Sequence, residues 1–225
     1  MKNSEWGAVS YLSQSKYGLN GTNIYINNVN LNNSTNSVYA VTGCSGDTEE
    51  ADTVVTTITD LNNRTALNVY VWTEEKGTKA SSTGTIYGIY DLAGGGLEKV
   101  AGFVANGNEA LTKNGNLLLN NGVSTKYVTV YKSDEAGITN FETASANNYK
   151  ANQKIGDAIR ETSTISEEKI SSWDSNASNF AAGNFPFFSR GGAYYYTNLA
   201  GLFEFSHDGG ISSYTYSFRT VLVSK

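Results

Sequence analysis

Side chains that could carry acid–base, thiol or metal chemistry are scarce in this sequence. His207 is the only histidine and Cys44 the only cysteine among 225 residues. A lone cysteine allows neither an intrachain disulfide nor a cysteine-based metal cluster. His207 could act as a general base, but a base also needs a nucleophile and an orienting acid, and no such motif accompanies it. This scarcity of reactive side chains favours His207 as a polar residue exposed at the surface and predicts that the protein is not an enzyme.

Four carboxylates are clustered at 47–52. Asp47, Glu49, Glu50 and Asp52 have the alternating arrangement that calcium ligands use. The segment lacks the glycine and the terminal glutamate that complete an EF-hand loop, so a solvated acidic loop is favoured. No cofactor is predicted. Structural calcium, bound by carboxylates and carbonyls, is the alternative that stays open.

The overall composition excludes several classes of partner. The net charge is −5, only 16% of the residues are charged, and there is no basic stripe, which argues against nucleic-acid binding. No run of about 18 apolar residues is present, so this chain is not expected to insert into a membrane. Low charge with abundant Asn, Thr and Tyr indicates an extracellular or cell-surface protein.

The elements that must position any site are short. Residues 3–16 have a helical pattern in which Trp6 is the expected core anchor. Three consecutive glycines, 94–96, predict a close crossing of backbones in the core. Together these patterns predict one α+β domain over 1–225, loop-rich, with short antiparallel strands and few helices. Strands are predicted at 24–26, 38–41, 66–73 and 127–131.

The C-terminal part of the chain, 173–217, combines two kinds of residue. Tyr, Ser, Gly and Asn are frequent in it, and adaptable binding surfaces use these residues because tyrosine gives large contact area at a low entropic cost. Tyr194, Tyr195 and Tyr196 are consecutive, so in a strand they could not all face the core, and at least one is expected to be exposed. The second kind forms a framework: Arg190, Gly191, Gly192, Gly201, Phe203, Phe205, Phe218 and Arg219.

Several residues of this region allow two interpretations. Arg190 and Arg219 could bind an acidic ligand, but a structural role is favoured, in which their guanidinium groups satisfy buried carbonyls or carboxylates. Glu204 lies between two phenylalanines and would point outward if they point into the core. Trp173 is either a core residue or an aromatic anchor of the surface. The predicted ligand-binding residues are Trp173, Asp174, Asn176, Asn184, Ser189, Tyr194, Tyr195, Tyr196, Asn198, Glu204, His207, Asp208, Tyr214 and Tyr216.

Three segments, in this order, carry a family pattern. Asn3-Ser-Glu-Trp-Gly-Ala-Val-Ser-Tyr-Leu corresponds to a helix of the form T-E-A-E-W-E-Y-A-A. Tyr87-Gly-Ile-Tyr-Asp-Leu-Ala-Gly-Gly-Gly-Leu-Glu corresponds to Y-G-L-Y-D-M-x-G-N-V-W-E. Arg190-Gly-Gly-Ala, with Ser217-Phe-Arg-Thr-Val-Leu after it, corresponds to R-G-G-S-W…G-F-R. The chain thus resembles, over nearly its whole length, the formylglycine-generating-enzyme (sulfatase-modifying-factor) domain, and this resemblance implies a variant of the C-type lectin fold.

The resemblance does not extend to the chemistry of that family. Gly95 and Leu97 stand where the family has asparagine and tryptophan. The oxidising enzymes of the family use a pair of cysteines near the C-terminal segment, and the iron-dependent relatives use several histidines. With Cys44 far upstream and His207 as the single histidine, a degenerate oxidoreductase is the less favoured alternative.

A subset of this fold consists of the variable proteins of diversity-generating retroelements, in phage tail fibres and bacterial surface proteins. There, adenine-directed mutagenesis rewrites the last segment with residues such as Tyr, Ser, Asn, Asp, Gly, Ala, Thr and His, the set found here at 173–217. The resemblance implies a receptor-binding or adhesin domain for a protein or glycan ligand on another cell or phage host. Similarity to prepilin-like surface proteins implies the C-terminal head of a longer protein, and a structural pilin-like subunit is the main alternative. The oligomeric state stays open.

Overall fold

The computed structural model of the chain is a mixed α+β structure with few helices and short sheets, which confirms the predicted class. The acidic cluster at 47–52, with its calcium alternative, lies outside the described residues, as do 59–68 and 133–154. Among the described residues, each helix is too short or too polar to span a bilayer. The structure describes residues 1–33, 37–46, 56–58, 69–119, 124–132, 155–159, 161–165, 170–181 and 183–222.

The described helices include the one predicted at the start of the chain and one that was not predicted. The first is confirmed, with Trp6 fully buried. The last, at Glu109–Leu119, was not predicted, because asparagine and glycine weaken its helical pattern in the sequence. It kinks at Gly115, where a β-carbon would lie 2.5 Å from the Phe187 ring, so the glycine lets this helix pack on the sheet. The helices are α1 (Asn3–Gln14), α2 (Glu75–Thr78) and α3 (Glu109–Leu119), with 3₁₀ turns at Trp173–Ser175 and Tyr194–Leu199.

The described strands form one larger sheet and several small ones. One small sheet has the order β2-β1-β4, and the pairs β3-β5 and β8-β9 form two more. The strands are β1 (Val29–Asn33), β2 (Ser37–Ala40), β3 (Cys44–Ser45), β4 (Thr56–Ile58), β5 (Tyr70–Val71), β6 (Leu97–Ala105), β7 (Thr129–Lys132), β8 (Thr164–Ile165), β9 (Ile170–Ser171), β10 (Phe187–Gly191), β11 (Gly201–Asp208) and β12 (Tyr216–Ser217).

The larger sheet is built around β6. Strand β10 pairs antiparallel with one edge of β6, and β11 continues the sheet beyond β10. The other edge is shared: β12 pairs with the beginning of β6 and β7 with its end, both in parallel. The prediction of antiparallel strands is wrong for these two pairs and for β1 with β4, which also pair in parallel. A long connection separates the members of each pair, as parallel pairing requires.

A bulge interrupts the pairing of β10 with β11. Arg190 pairs with Phe205 and Gly191 pairs with Gly201, so residues 202–204 have no counterpart on β10 in this register. A bulge breaks the alternation of side chains between the two faces of a strand. Consequently Phe203, Glu204 and Phe205 are all fully buried.

The segments that carry the resemblance meet in the core. The Trp6 indole N–H donates to the Leu202 carbonyl oxygen at 2.8 Å, which fixes α1 on β11. The Gly94 N–H donates to the Gly191 carbonyl oxygen at 2.9 Å. A β-carbon on Gly94 would lie 2.3 Å from the Asn27 carbonyl oxygen, so the predicted close crossing at the glycines is confirmed. Packing therefore joins parts of the chain that lie far apart in sequence.

Arg190 is fully buried and connects four parts of this core. Its Nε donates to the carbonyl oxygen of Glu204 at 2.9 Å, and its Nη1 donates to that of Asp157 at 3.0 Å. Further contacts reach the Ala158 carbonyl oxygen at 3.3 Å and Oδ1 of Asn3 at 3.4 Å. The predicted structural role of this guanidinium group, which satisfies buried carbonyls, is confirmed.

Candidate functional site

The tyrosines at 194–196 lie on the 3₁₀ turn Tyr194–Leu199, directly after β10. Gly191 and Gly192 have φ of +83° and +73°, values that glycine adopts without strain, and they direct the chain out of the sheet. The backbone N–H of Tyr194 then donates to the carbonyl oxygen of Gly95 at 2.8 Å. The turn is therefore anchored on the glycine crossing, and its conformation is that of a helical turn rather than the strand considered from the sequence.

The three rings of the turn form a contiguous aromatic surface. The ring centroids are 5.1 Å apart for Tyr194 and Tyr195 and 5.2 Å apart for Tyr195 and Tyr196, each pair in edge contact. Tyr195 is 45% exposed, which confirms that at least one of the three reaches solvent. Tyr196 packs partly on the core, and burial together with the Glu204 charge raises its pKa to about 12.

A cleft of about 540 Å³ opens beside Tyr194. Its opposite wall is the segment 214–218, which Leu97 holds by donating its backbone N–H to the Thr215 carbonyl oxygen at 2.9 Å. Both walls are thus attached to neighbouring residues at the start of β6. The tyrosine cleft, as we call it, has an aromatic lining of Tyr90, Tyr194, Tyr214, Tyr216 and Phe218 and a charged lining of Asp91, Glu98 and Arg219.

Phe218 was assigned to the framework from the sequence, and that assignment is wrong. Its side chain is 77% exposed and lines the tyrosine cleft. Strand β12 ends at Ser217, so Phe218 lies beyond the sheet and is not covered by it. Tyr214, on the other side of β12, is 83% exposed. Two large aromatic side chains therefore stand open at the rim of the cleft.

The charged groups of the tyrosine cleft are bonded within the protein. Arg219 donates through Nε to both carboxylate oxygens of Glu98 at 2.6 Å, and through Nη2 to the Tyr90 carbonyl oxygen at 3.1 Å, as its predicted structural role requires. Asp91 accepts from Nδ2 of Asn27 at 2.7 Å. Burial raises the pKa of both carboxyl groups, and the Arg219 guanidinium opposes this rise. No pattern in the sequence marked either carboxylate as part of a site.

Tyr216 is supported from beneath by an ion pair. The Lys99 ammonium lies 2.9 Å from Oδ1 of Asp208 and 4.4 Å from the centroid of the Tyr216 ring, in a cation–π arrangement. Burial and the nearby Asp208 carboxylate raise the pKa of Tyr216. Asp208 was predicted to lie at the surface, but it is only 2% exposed, so that prediction is wrong. Its carboxylate instead pairs with the Lys99 ammonium, which in turn contacts the Tyr216 ring.

Glu204 lies beneath the turn and is fully buried. Its Oε2 accepts a hydrogen bond from the Gly192 N–H at 2.9 Å. Burial raises the pKa of this carboxyl to about 8, while Arg190 and the Gly192 N–H oppose the rise. The prediction that Glu204 points outward is wrong, because the bulge at 202–204 removes the alternation on which the prediction rested.

A second, more polar cleft of about 370 Å³ lies at the other end of the turn, where Asn198 is located. Asp174 and Ser175 line it with φ of +61° and +58°. Asn176, also in the lining, is 5% exposed, donates to the Ala200 carbonyl oxygen at 3.2 Å and accepts from the Phe203 N–H at 3.2 Å. Its predicted contact with ligand is therefore replaced by a structural one, since its amide satisfies backbone groups.

The remaining predicted residues lie away from both clefts. Trp173 is 48% exposed, with its ring 5.2 Å from that of Phe203, so it is partly core and partly surface. Asn184 is exposed. Ser189 lies in β10 and is 1% exposed, so its predicted surface position is wrong. Burial lowers the pKa of His207 to about 4, so its imidazole is a weak base.

The described residues around these clefts do not include a metal-binding cluster. Among the described residues, no three His, Cys, Asp or Glu side chains are grouped so that they could hold a metal ion. What the tyrosine cleft can do is bury aromatic surface against a partner. Comparison of the chain with family models, with curated proteins and with solved structures gave no match.

Proposed function

We propose that this chain is a ligand-binding domain without enzymatic activity, whose binding surface consists of the tyrosine cleft and the exposed rings of the turn Tyr194–Leu199. Its partner is a protein or a glycan on another cell or phage host. The domain acts outside the cell, at a cell surface or on a phage tail, as a receptor-binding or adhesin domain. Its surface at 173–217 is diversified by a diversity-generating retroelement, on a C-type lectin fold of the formylglycine-generating-enzyme type.

The observation that carries the binding proposal is the contrast between the rim of the cleft and its support. Tyr214 and Phe218 are 83% and 77% exposed and line the same cleft, and exposed apolar residues that lie together, rather than singly, mark interaction sites. Directly behind this rim, Glu98, Glu204 and Asp208 are buried and hydrogen-bonded. A rigid support beneath exposed aromatic residues is the usual construction of a binding surface.

A second observation supports the proposed fold. The three segments with the family pattern are in direct contact. Arg190 donates to Oδ1 of Asn3, Gly94 donates to Gly191, and Arg219 donates to the carbonyl oxygen of Tyr90. Residues that maintain a framework are expected to form such contacts.

The binding proposal is tested by a screen on arrays of glycans and of extracellular proteins. The native chain is compared with a variant that carries alanine at five tyrosines, and the native chain alone is expected to bind. Tyr17→Ala and Tyr127→Ala are matched controls, since both tyrosines are exposed, at 72% and 54%, and neither lines the cleft. Equal binding by the five-alanine variant would place the site elsewhere. The five substituted residues are Tyr194, Tyr195, Tyr196, Tyr214 and Tyr216.

The diversification proposal has a separate test in the neighbouring DNA. A near-identical template repeat of the segment that encodes 173–217 is expected beside a reverse-transcriptase gene, with mismatches confined to adenines of the template. Absence of such a repeat would refute diversification and leave the binding proposal standing.

The exposed apolar residues also suit a pilin-like subunit, in which they would pack against the next copy. Phe218 is 77% exposed and Leu222 is 99% exposed. Tyrosine and phenylalanine are enriched at subunit interfaces as well as at ligand sites. Light scattering over a range of concentrations separates the two functions: a monomer supports the ligand-binding domain, and a polymer that grows with concentration supports the subunit.

A further inference from the structure

Given the proposed binding function, we infer that the tyrosine cleft recognises a cationic side chain, lysine or arginine, of a protein partner. The inference rests on two properties of the cleft, its exposed aromatic walls and its excess of negative charge. It names the chemistry of the ligand that the proposed function leaves open between protein and glycan.

The aromatic lining supplies rings that a cation can contact. Tyr194, Tyr214, Tyr216 and Phe218 line one space of about 540 Å³, which is large enough for the end of a long side chain. Aromatic rings bind ammonium and guanidinium groups through the negative ring face. Tyr216 already contacts the Lys99 ammonium at 4.4 Å from its ring centroid.

The charges of the lining attract a cation. Asp91 and Glu98 carry two carboxylates and Arg219 one guanidinium, so the charged residues of the lining sum to −1. Arg219 is hydrogen-bonded to the Glu98 carboxylate and acts on that of Asp91 through its charge. The hydrogen bonds to the Asp91 carboxylate come from neutral donors, Nδ2 of Asn27 at 2.7 Å and the Gly43 N–H at 3.1 Å. The charge of Asp91 therefore lacks a direct cationic contact in these bonds. The whole chain, at −5, adds to the attraction.

The carboxylates of the lining already accept hydrogen bonds within the protein. Both carboxylate oxygens of Glu98 accept from Arg219, and both of Asp91 accept from the Gly43 N–H. Thr42, Thr215 and Ser217 are also in the lining, so a sugar would find polar contacts there and has to be tested beside the cation. The negative charge of the lining is the property that favours a cation with an alkyl stem.

The test is a titration of the folded chain, followed by NMR of its aromatic side chains. The probes are N-acetyl-lysine methylamide, N-acetyl-arginine methylamide, the uncharged N-acetyl-norleucine methylamide, and methyl glycosides. The two cationic probes are expected to bind about tenfold more tightly than norleucine, with saturable shifts at the rings of the cleft and weaker binding at high salt.

Variants locate the effect. Tyr214→Ala and Phe218→Ala change exposed side chains and are expected to weaken lysine binding about tenfold. Asp91→Asn keeps an acceptor for Asn27 and Gly43, and its φ of +59° suits asparagine, so it removes only charge and should weaken binding at least about threefold. Tyr127→Ala is the control and should bind as the native chain does.

The outcomes separate this inference from the proposed function. Equal binding of lysine and norleucine, preference for a glycoside, or binding unaffected by Tyr214→Ala and Phe218→Ala overturns the cationic ligand. If an array ligand that has no cationic group binds the native chain but not the five-alanine variant, the proposed function stands and the inference of a cationic ligand fails. If neither probes nor array ligands depend on these residues, both fail.

Discussion

The carboxylate of Glu204 accepts a hydrogen bond from the backbone N–H of Gly192 at 2.9 Å, in the buried space beneath the turn that carries the tyrosines. Among the described residues, its second oxygen, Oε1, has no hydrogen-bond partner. A carboxyl group in such a place is more stable when it is protonated, and its pKa is raised to about 8. The support of the binding surface is therefore sensitive to pH.

The first prediction is that the contribution of Glu204 to the free energy of unfolding falls as the pH rises from about 4.5 to about 8. The lowered pKa of His207 acts in the opposite direction below about pH 6.5, so the net fall is expected mainly between about pH 6.5 and 8. The folded chain binds the Glu204 proton more tightly than the unfolded chain, whose carboxyl has the ordinary value of 4.5. This contribution is therefore complete below pH 4.5 and is lost as the pH approaches 8, with a slope of up to about 1.4 kcal/mol per pH unit. Urea unfolding at several pH values measures it.

Glu204→Gln isolates this contribution. The amide oxygen of glutamine can accept from the Gly192 N–H, and the side chain cannot ionise. Asp91, Glu98 and Asp157 also have raised pKa values, but their contribution is the same in both chains. The variant should be more stable than the native chain at pH 8. Identical pH slopes in the two chains would contradict the assignment.

The second prediction concerns Arg190. Arg190→Lys keeps the positive charge but cannot reach the carbonyl oxygens of Glu204, Asp157 and Ala158 at once. Buried acceptors are left unsatisfied, so unfolding by urea should show a loss of about 3 kcal/mol or more. Arg219→Lys is the matched comparison and should cost less, because Arg219 is partly exposed. An equal or larger loss for Arg219→Lys would contradict this ranking.

The framework was largely predictable from the sequence, because few other residue types could make the contacts that its residues make. Trp6 in a helical pattern, the glycines at 94–96 and Arg190 beside two glycines each indicate a close contact, and each makes one in the structure. The displayed tyrosines were predictable for a related reason: three in succession cannot all be buried. Residue type alone therefore distinguished the residues of the framework from many of those displayed at the surface.

The depth of individual polar residues was not predictable. Glu204 and Asp208 were expected at the surface, and both are buried. Glu204 lies at the bulge of β11, and Asp208 forms an ion pair with Lys99. A bulge depends on the register with β10, which local sequence does not specify. Phe218 was expected in the core, and it is exposed because β12 ends one residue before it. These errors come from pairing between distant strands.

The third prediction separates steric contact from backbone strain at glycine. Gly94 and Gly107 have nearly equal φ, +75° and +74°. A β-carbon on Gly94 would lie 2.3 Å from the Asn27 carbonyl oxygen, whereas a β-carbon on Gly107 would have no described atom within 4 Å. Gly107→Ala should cost about 1 kcal/mol from strain alone. Gly94→Ala should cost about 3 kcal/mol or more, because the crossing must also open. Similar losses in thermal or urea unfolding would refute the close crossing.

The fourth prediction concerns the support of Tyr216. Asp208→Asn removes the carboxylate that, after burial, contributes most to the raised pKa of Tyr216. The pKa of this tyrosine should fall but stay above 10, because burial persists. A titration followed by ¹³C NMR of the tyrosine ζ-carbons measures the change. An unchanged pKa of Tyr216 would mean that Asp208 does not act on it.

The last prediction is that stability and binding depend on different aromatic residues. Tyr214→Ala and Phe218→Ala remove side chains that are 83% and 77% exposed, so each should change the free energy of unfolding by less than about 0.5 kcal/mol. Tyr196→Ala should cost more, about 1 to 2 kcal/mol, because this ring packs partly on the core. Tyr131→Ala should cost about 3 kcal/mol or more, since Tyr131 is 1% exposed and donates to Asp157 at 2.6 Å. Urea unfolding ranks the four variants. Large losses for Tyr214→Ala or Phe218→Ala would mean that the rim of the cleft belongs to the framework, whereas small losses there leave these side chains available to a ligand.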